Sequence, residues 1–115
     1  SHFYRTQLYK YKKYIDLPPI HNKELSANHL FVILFKKEAL KISREKIIQK
    51  LYKKGIITQI HYIPIFFHPF YKKICRGKFD GANYYYNNCL SLPIFPELTD
   101  AEIDRVIKEV RGFYL

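Results

Sequence analysis

Residues 55–71 read Gly-Ile-Ile-Thr-Gln-Ile-His-Tyr-Ile-Pro-Ile-Phe-Phe-His-Pro-Phe-Tyr, and the expected fold can be built outward from them. The first residue is a glycine, which is typical of the left-handed position just after a helix. The β-branched residues that follow predict a strand over 56–62, which Pro64 ends. His61 and Tyr62 then lie at a strand exit, where polar side chains on a rigid scaffold often form a site. The alternative is a core strand that ends in a half-buried His-Tyr pair.

Upstream of this stretch, the sequence predicts an amphipathic helix over residues 44–54 that begins at the N-cap Ser43. Its apolar residues recur at helical spacing and form one stripe: Ile47, Ile48, Leu51 and Tyr52. A short apolar run before it, residues 29–35, predicts a strand with both faces covered. This strand-helix-strand order places a helix on one face of a small sheet.

Downstream, the pattern predicts a helical turn at 69–73, a helix over 82–89 and a short strand over 90–93. Thr99 and Glu102 form a capping box that begins the last helix. The buried face of this helix is expected to contain Ile103, Val106, Ile107, Val110 and Phe113 or Tyr114. The predicted fold is therefore an α/β fold (an α+β sandwich), with a small, mostly antiparallel three-stranded sheet covered by helices.

The first residues read as the end of a longer helix. Tyr4, Leu8, Tyr11 and Ile15 recur at intervals of three and four, which predicts a helix over 1–15. No capping residue introduces this pattern, so we expect the chain to be a piece of something longer. The pair of prolines at positions 18 and 19 then ends the helix and forces an extended backbone.

Length and composition indicate one folded domain. The chain has 115 residues with 11 Tyr and 9 Phe, a composition that excludes a disordered protein. Its longest strongly apolar run, residues 30–35, is far too short to cross a bilayer, and no signal peptide is visible. Cys75 and Cys89 are widely separated and match no zinc motif, so we expect no metal site and a cytoplasmic location.

The net charge of +10 leaves two interpretations open. A strongly basic domain rich in Tyr and Phe could be a stand-alone module that binds nucleic acid through phosphates and stacked bases. However, the lysines occur in pairs that are scattered along the chain and form no single stripe. Lys, Ile, Asn and Tyr are abundant together, so we attribute the positive charge to the codon bias of an AT-rich genome. We therefore expect no nucleic-acid or membrane partner.

Several blocks of sequence resemble one enzyme family. The element His-Tyr-Ile-Pro at 61–64, followed by Pro-Phe-Tyr at 69–71, is similar to the HYxP…PxY element of the DegT/DnrJ/EryC1/StrS sugar aminotransferases. Residues 29–31 resemble the first small-domain strand of that family, and residues 54–56 resemble its helix end before the HYxP motif. Residues 91–99 are similar to its SLPxxPxLT element. The four blocks agree in order and spacing.

The resemblance implies the C-terminal small domain of a fold type I enzyme that uses pyridoxal phosphate. Residues 1–17 would be the end of the inter-domain helix and residues 18–115 the small domain, while the large N-terminal domain would be absent. In this family the large domain supplies the Schiff-base lysine, so the chain alone is expected to bind no pyridoxal phosphate and to be inactive. The best-matching branch aminates UDP-4-keto-6-deoxy-N-acetylhexosamines, as in pseudaminic-acid biosynthesis, with an amino-acid donor such as glutamate. The parent is expected to be a homodimer.

The same resemblance implies four substrate-binding residues and none that is catalytic or binds the cofactor. His61 and Tyr62 would orient hydroxyls of the UDP-keto-sugar, and Phe66 and Tyr71 could stack on the sugar or the uracil. Phe66 stands where many relatives have a histidine. The alternative for the two rings is core or subunit packing.

Overall fold

The computed structural model describes residues 2–20 and 26–114. In those residues a three-stranded antiparallel sheet, with strand order β1-β2-β3, is covered by helices. The elements in chain order are α1 (His2–Leu8), β1 (Ile15–Asp16), β2 (Phe31–Phe35), α2 (Arg44–Lys53), α3 (Pro69–Lys72), α4 (Asp80–Asn88), β3 (Cys89–Leu92) and α5 (Asp100–Arg111). The predicted fold class is confirmed, and no helix in the described ranges has the length and apolar character needed to cross a membrane.

The first predicted helix is shorter than its sequence pattern suggested. It ends at Leu8, and a 3-10 turn, Tyr9–Tyr11, leads into the strand β1. Ile15, expected on the last helical turn, is instead fully buried in that strand, opposite Phe35 of β2. A three-to-four spacing cannot distinguish these outcomes, because the contact that fixes Ile15 involves a residue twenty positions further along the chain.

The predicted strand over 56–62 does not form a ladder. It is joined to β3 by a single bridge, in which Gln59 and Ser91 exchange both backbone hydrogen bonds (3.2 and 2.8 Å). Continuing that antiparallel register would place Ile57 opposite Pro93, which has no N–H to donate. The three strands of the sheet are therefore not the three that were predicted, since β1 occupies the third place.

The core lies on one face of the sheet. Phe31, Ile33 and Phe35 point into it from β2, and Tyr4 stacks on Phe31 with a centroid separation of 5.0 Å. The other face of β2 is only partly covered, so the expectation of two covered faces is met fully on one side alone. Other fully buried side chains around it come from α1, β1, α2, β3 and α5: Leu8, Ile15, Ile47, Leu51, Leu90 and Val110.

The caps of α2 and α5 were predicted correctly. The Ser43 hydroxyl accepts a hydrogen bond from the Lys46 N–H at the start of α2. Gly55 adopts φ +73° just after this helix, the left-handed conformation for which glycine is suited. At α5, Thr99 and Glu102 form the complete capping box, although the helix ends at Arg111 rather than near Tyr114.

The region between the two caps contains an exposed aromatic segment, defined here as residues 62–79. It contains a 3-10 turn, Ile65–Phe67, and the short helix α3, which confirms the helical turn predicted at 69–73. The helix predicted over 82–89 begins two residues earlier, and β3 likewise begins one residue before its predicted start. Large apolar side chains of the segment are exposed: Tyr62, Ile63, Ile65, Phe67, Phe70, Tyr71, Ile74 and Phe79.

Candidate functional site

His61 is held against the sheet by a serine of β3. Its Nδ1 lies 2.7 Å from the Ser91 hydroxyl oxygen, a short hydrogen bond between a half-buried ring and a buried side chain. The backbone bridge between Gln59 and Ser91 brings the two residues together, because it fixes the chain two residues before His61. One ring nitrogen is thus engaged by the protein, and Nε2 has no hydrogen-bond partner among the described residues.

Tyr62 lies beside His61 but faces outward. The two rings meet edge to face with a centroid separation of 4.5 Å, and the peptide bond between them is cis. The Tyr62 side chain is 69% exposed. Its phenol can therefore donate to or accept from a ligand or a neighbouring protein surface.

A cavity of about 270 Å³ opens beside His61. Its polar lining comes from His29, Gln59, His61 and Ser91, and Leu92 and Phe95 contribute apolar walls. Imidazole, amide and hydroxyl groups suit a hydroxylated ligand, since each can donate or accept hydrogen bonds. Phe95 is half exposed and offers a face for stacking. The cavity can therefore hold a polar ligand.

The other two predicted substrate residues lie in a separate cluster. Phe66 is half-buried and stacks on Phe79 with centroids 4.6 Å apart, while Tyr71 packs edge to face on Phe70. Among the described residues, neither ring stacks on His61 or Tyr62. The structure thus brings together the first pair of predicted residues and leaves the second pair elsewhere in the aromatic segment.

Sequence reasoning missed Ser91, the residue that holds His61. It belongs to the block at 91–99, which the resemblance used to identify the family without giving Ser91 a role in the site. A signal was present, because a serine inside an apolar strand needs a hydrogen-bond partner when it is buried. Only the fold, however, could show that this partner is a histidine thirty residues earlier.

Arg44, at the start of α2, was missed as well. It is 9% exposed, and its Nη1 donates to the carbonyls of Tyr86 and of Cys89, the latter at 3.3 Å. Its Nη2 lies 3.5 Å from the carboxylate of Glu45. Burial raises the pKa of the nearby Cys89 thiol, which keeps it protonated and unreactive. These contacts join α2 to α4 and β3, which is a structural role.

Neither a metal-binding cluster nor a cofactor-binding lysine is seen at the cavity beside His61 among the described residues. Within the described ranges, no cluster of three or more His, Cys, Asp or Glu side chains could hold a metal ion. Pyridoxal phosphate needs a lysine amine and a phosphate-binding cradle, but no lysine or arginine lines the cavity beside His61. The lysine side chains that the structure describes lie at the surface, except the half-buried Lys36, which pairs with Asp16.

Comparison with known proteins places the chain in a family. Residues 1–111 match the DegT/DnrJ/EryC1/StrS aminotransferase family along nearly the whole chain. The chain belongs to this family. The resemblance read from the four sequence blocks is therefore confirmed.

Individual curated proteins are similar to the chain over much of the same region. The spore coat polysaccharide biosynthesis protein SpsC of Bacillus subtilis is 35% identical over 98 residues, which cover 82% of this chain and 25% of SpsC. The UDP-4-amino-4,6-dideoxy-N-acetyl-beta-L-altrosamine transaminase of Helicobacter pylori is 28% identical over 95 residues, which cover 80% of this chain and 25% of that enzyme. The chain thus spans about a quarter of the length of the curated relatives it matches.

The fold is also that of a solved member. The structure of Helicobacter pylori PseC, an aminotransferase involved in the biosynthesis of pseudoaminic acid, superposes with a TM-score of 0.82 and 25% identity. The superposition covers 96% of this chain and 30% of PseC. The architecture described above is therefore found within a larger aminotransferase.

Proposed function

We propose that this chain is the C-terminal small domain of a nucleotide-sugar aminotransferase. The sheet and its covering helices form the domain, and α1 (His2–Leu8) is the end of the helix that connects it to a large N-terminal domain. The boundary expected at residue 17 moves toward α1, because β1 (Ile15–Asp16) belongs to the sheet. That large domain holds pyridoxal phosphate, which supplies the electron sink of the reaction when bound. The chain alone neither binds the cofactor nor transfers an amino group.

The observation that supports this proposal most strongly is that the match covers nearly all of this chain but only a small part of each relative. The family and PseC match nearly all of this chain, while the chain matches only about a quarter to a third of each relative. The same fold within a longer aminotransferase is what a small domain would show. The cavity of about 270 Å³ beside His61 adds a space in which a polar ligand could bind.

The proposed substrate is a UDP-4-keto-6-deoxy-N-acetylhexosamine, which the parent enzyme converts to the 4-amino sugar with glutamate as donor. The altrosamine transaminase and PseC, both similar to this chain, support this substrate class. SpsC supports the coarser role, which is the synthesis of a surface polysaccharide or glycan. We place the parent in the cytoplasm, where nucleotide sugars are made.

In this proposal, His61 and Tyr62 bind the sugar or its nucleotide and orient its hydroxyls. Orientation of a bound carbonyl matters, because small displacements of reacting groups are costly in rate. Phe66 and Tyr71 bind substrate only if the domain closes so that their cluster reaches the same ligand. Their contacts with Phe79 and Phe70 favour the packing alternative for these two rings.

The aromatic segment, residues 62–79, is proposed to dock the large domain and the second subunit of the homodimer. A contiguous series of exposed aromatic and branched side chains is unusual on a monomer surface. We infer that the large domain covers this surface, because the relatives are about four times as long as the part they share with this chain. A stand-alone nucleic-acid module gains no support from the family or from these relatives.

The proposal can be tested on the continuous coding sequence. We expect the protein encoded together with the upstream reading frame to aminate a UDP-4-keto-6-deoxy-N-acetylhexosamine when pyridoxal phosphate and glutamate are supplied. Product is measured by mass spectrometry of the sugar nucleotide. A dTDP-4-keto sugar serves as the matched control for the nucleotide, and replacement of His61 by Ala is expected to raise KM.

The isolated chain provides the second half of the test. Titration with pyridoxal phosphate should produce no stoichiometric change in the absorbance of the cofactor. Stoichiometric binding by the chain alone, or an upstream reading frame that encodes no aminotransferase domain, would contradict the proposal. Steeply salt-dependent binding to single-stranded nucleic acid would instead favour the alternative function.

A further inference from the structure

We infer that Ser91 is a positioning residue that fixes the tautomer of His61, so that its Nε2 carries the proton and donates into the cavity. Nothing in the sequence resemblance assigned a role to Ser91. The inference rests on the proposed function only for the identity of the ligand, since the tautomer is a property of this chain.

The hydrogen bond itself can be formed in two ways. Either the Ser91 hydroxyl donates to an unprotonated Nδ1, or a protonated Nδ1 donates to the hydroxyl oxygen; the heavy-atom distance of 2.7 Å is compatible with both. In a neutral imidazole, the choice at Nδ1 determines the state of Nε2.

The surroundings of Ser91 distinguish the two arrangements. Ser91 is only 4% exposed, and its backbone N–H and carbonyl are both occupied by Gln59. Within the described residues, its hydroxyl has no hydrogen-bond partner other than His61. Each arrangement leaves one donor without a partner among the described residues: the Ser91 O–H if Nδ1 donates, or the His61 Nε2–H if Ser91 donates. Ser91 is almost fully buried and His61 is only half-buried, so the unpaired donor costs less on the imidazole, which can meet water or a ligand in the cavity. The favoured arrangement therefore has Ser91 donating to Nδ1 and Nε2 protonated.

The consequence concerns which ligand atom His61 can meet. A protonated Nε2 offers a donor to the cavity that Gln59 and His29 also line. It therefore selects an acceptor oxygen, such as a sugar hydroxyl or carbonyl oxygen, over an ammonium group. In the proposed reaction, this preference would favour the keto-sugar over the protonated amino-sugar product.

The test reads the tautomer directly by nuclear magnetic resonance. The 115-residue chain is labelled with ¹⁵N-histidine, and two-bond ¹H–¹⁵N correlations are recorded near pH 8.5, about two units above the ordinary imidazole pKa. We expect Nδ1 of His61 to resonate as an unprotonated nitrogen and Nε2 as a protonated one. His68, which is exposed, gives an internal reference for an unconstrained ring.

Two variants separate positioning from structure. Ser91→Ala should move the His61 shifts to the averaged pattern of His68, whereas Ser91→Thr, which keeps the hydroxyl, should preserve the wild-type pattern. A protonated Nδ1 in the wild type, an averaged wild-type pattern, or no change in Ser91→Ala would each overturn the inference. If Ser91→Ala fails to fold, the wild-type spectrum and Ser91→Thr still decide.

The measurement is independent of the proposed function, because no substrate, cofactor or large domain is present. The predicted tautomer can be found in a protein that fails the amination assay, and an active aminotransferase can fail the tautomer test. The two failures are therefore distinguishable.

Discussion

Phe35 and Phe70 are the same type of residue in opposite environments. Phe35 on β2 is fully buried, and its ring packs among those of the core, including Tyr114. Phe70 on α3 is 71% exposed and contacts only its neighbour Tyr71 among the rings of the described residues. The core buries its own apolar side chains, whereas those of the aromatic segment remain exposed on the described chain.

The helix starts differ in the same way. Around the core, α2 and α5 begin with side-chain caps from Ser43 and Thr99. In and next to the aromatic segment, α3 and α4 begin at His68 and Phe79 without a side-chain cap. Local sequence therefore supports the core helices by itself, while α3 and α4 depend more on what packs against them.

The largest expected effect comes from matched Phe-to-Ala substitutions, one in the core and one in the aromatic segment. Phe35→Ala should lower the free energy of unfolding by about 3–5 kcal/mol, because it leaves a cavity in a packed core. Phe70→Ala should change it by no more than about 0.5 kcal/mol, because it removes an exposed ring. Urea denaturation followed by circular dichroism measures both. Equal losses in the two variants would mean that the aromatic segment is part of the folding core.

The link from α2 to α4 and β3 gives the next largest effect. Arg44→Ala should lower the free energy of unfolding by about 2 kcal/mol, since two buried carbonyls, of Tyr86 and Cys89, lose a charged donor. Arg76→Ala, at an exposed position, serves as the control for loss of a positive charge. The same denaturation experiment applies. A neutral Arg44→Ala would show that α4 does not depend on this link to α2.

The cap of α5 should contribute less. Thr99→Ala removes the hydroxyl that accepts from the Glu102 N–H, and a lost N-cap typically costs about 1 kcal/mol. Thr99→Ser keeps the hydroxyl and should restore most of this stability. Thermal unfolding of the three proteins measures the difference. If Thr99→Ser were as unstable as Thr99→Ala, the effect would belong to the lost methyl group instead.

The smallest expected effect is a pH dependence of the same cap. Hydrogen bonds from the Thr99 N–H and hydroxyl hold the pKa of Glu102 below its ordinary value of 4.5. Because the pKa of Glu102 is lower in the folded state, the ionised carboxylate stabilises the fold. This stabilisation is complete above the pKa of the unfolded state and is lost as pH falls through the pKa of the folded state. Glu102→Gln should therefore flatten the decline in melting temperature below about pH 4.5, which thermal scans across that range would detect. An unchanged decline would contradict the assignment.

Residues next to each other in the sequence were enough to predict the ends and the buried faces of the helices that pack on the core. The caps Ser43, Thr99 and Glu102 lie next to the helices they begin, and Gly55 lies next to the helix it ends, so spacing alone identified them. The stripe on α5 named side chains that are in fact buried, such as Ile103 and Val110.

Long-range contacts account for what the sequence could not predict. The strand β1 has only two residues and exists because it pairs with β2, so its Ile15 was assigned to a helix. The β-branched run at 56–60 has strand propensity but meets β3 only at Gln59. In the site, His61 and Tyr62 were predicted from their place at the end of this run, whereas Ser91 became visible only when the fold brought it to His61.

The most direct test of the central claim compares hydrogen exchange in the isolated chain with that in the protein encoded together with the upstream reading frame. The claim is that residues 62–79 form a surface which the large domain and second subunit cover. Exchange read by mass spectrometry should slow in peptides from this segment when the large domain is present, while β2 peptides should be equally protected in both proteins. Equal exchange of residues 62–79 in the two proteins would contradict the account.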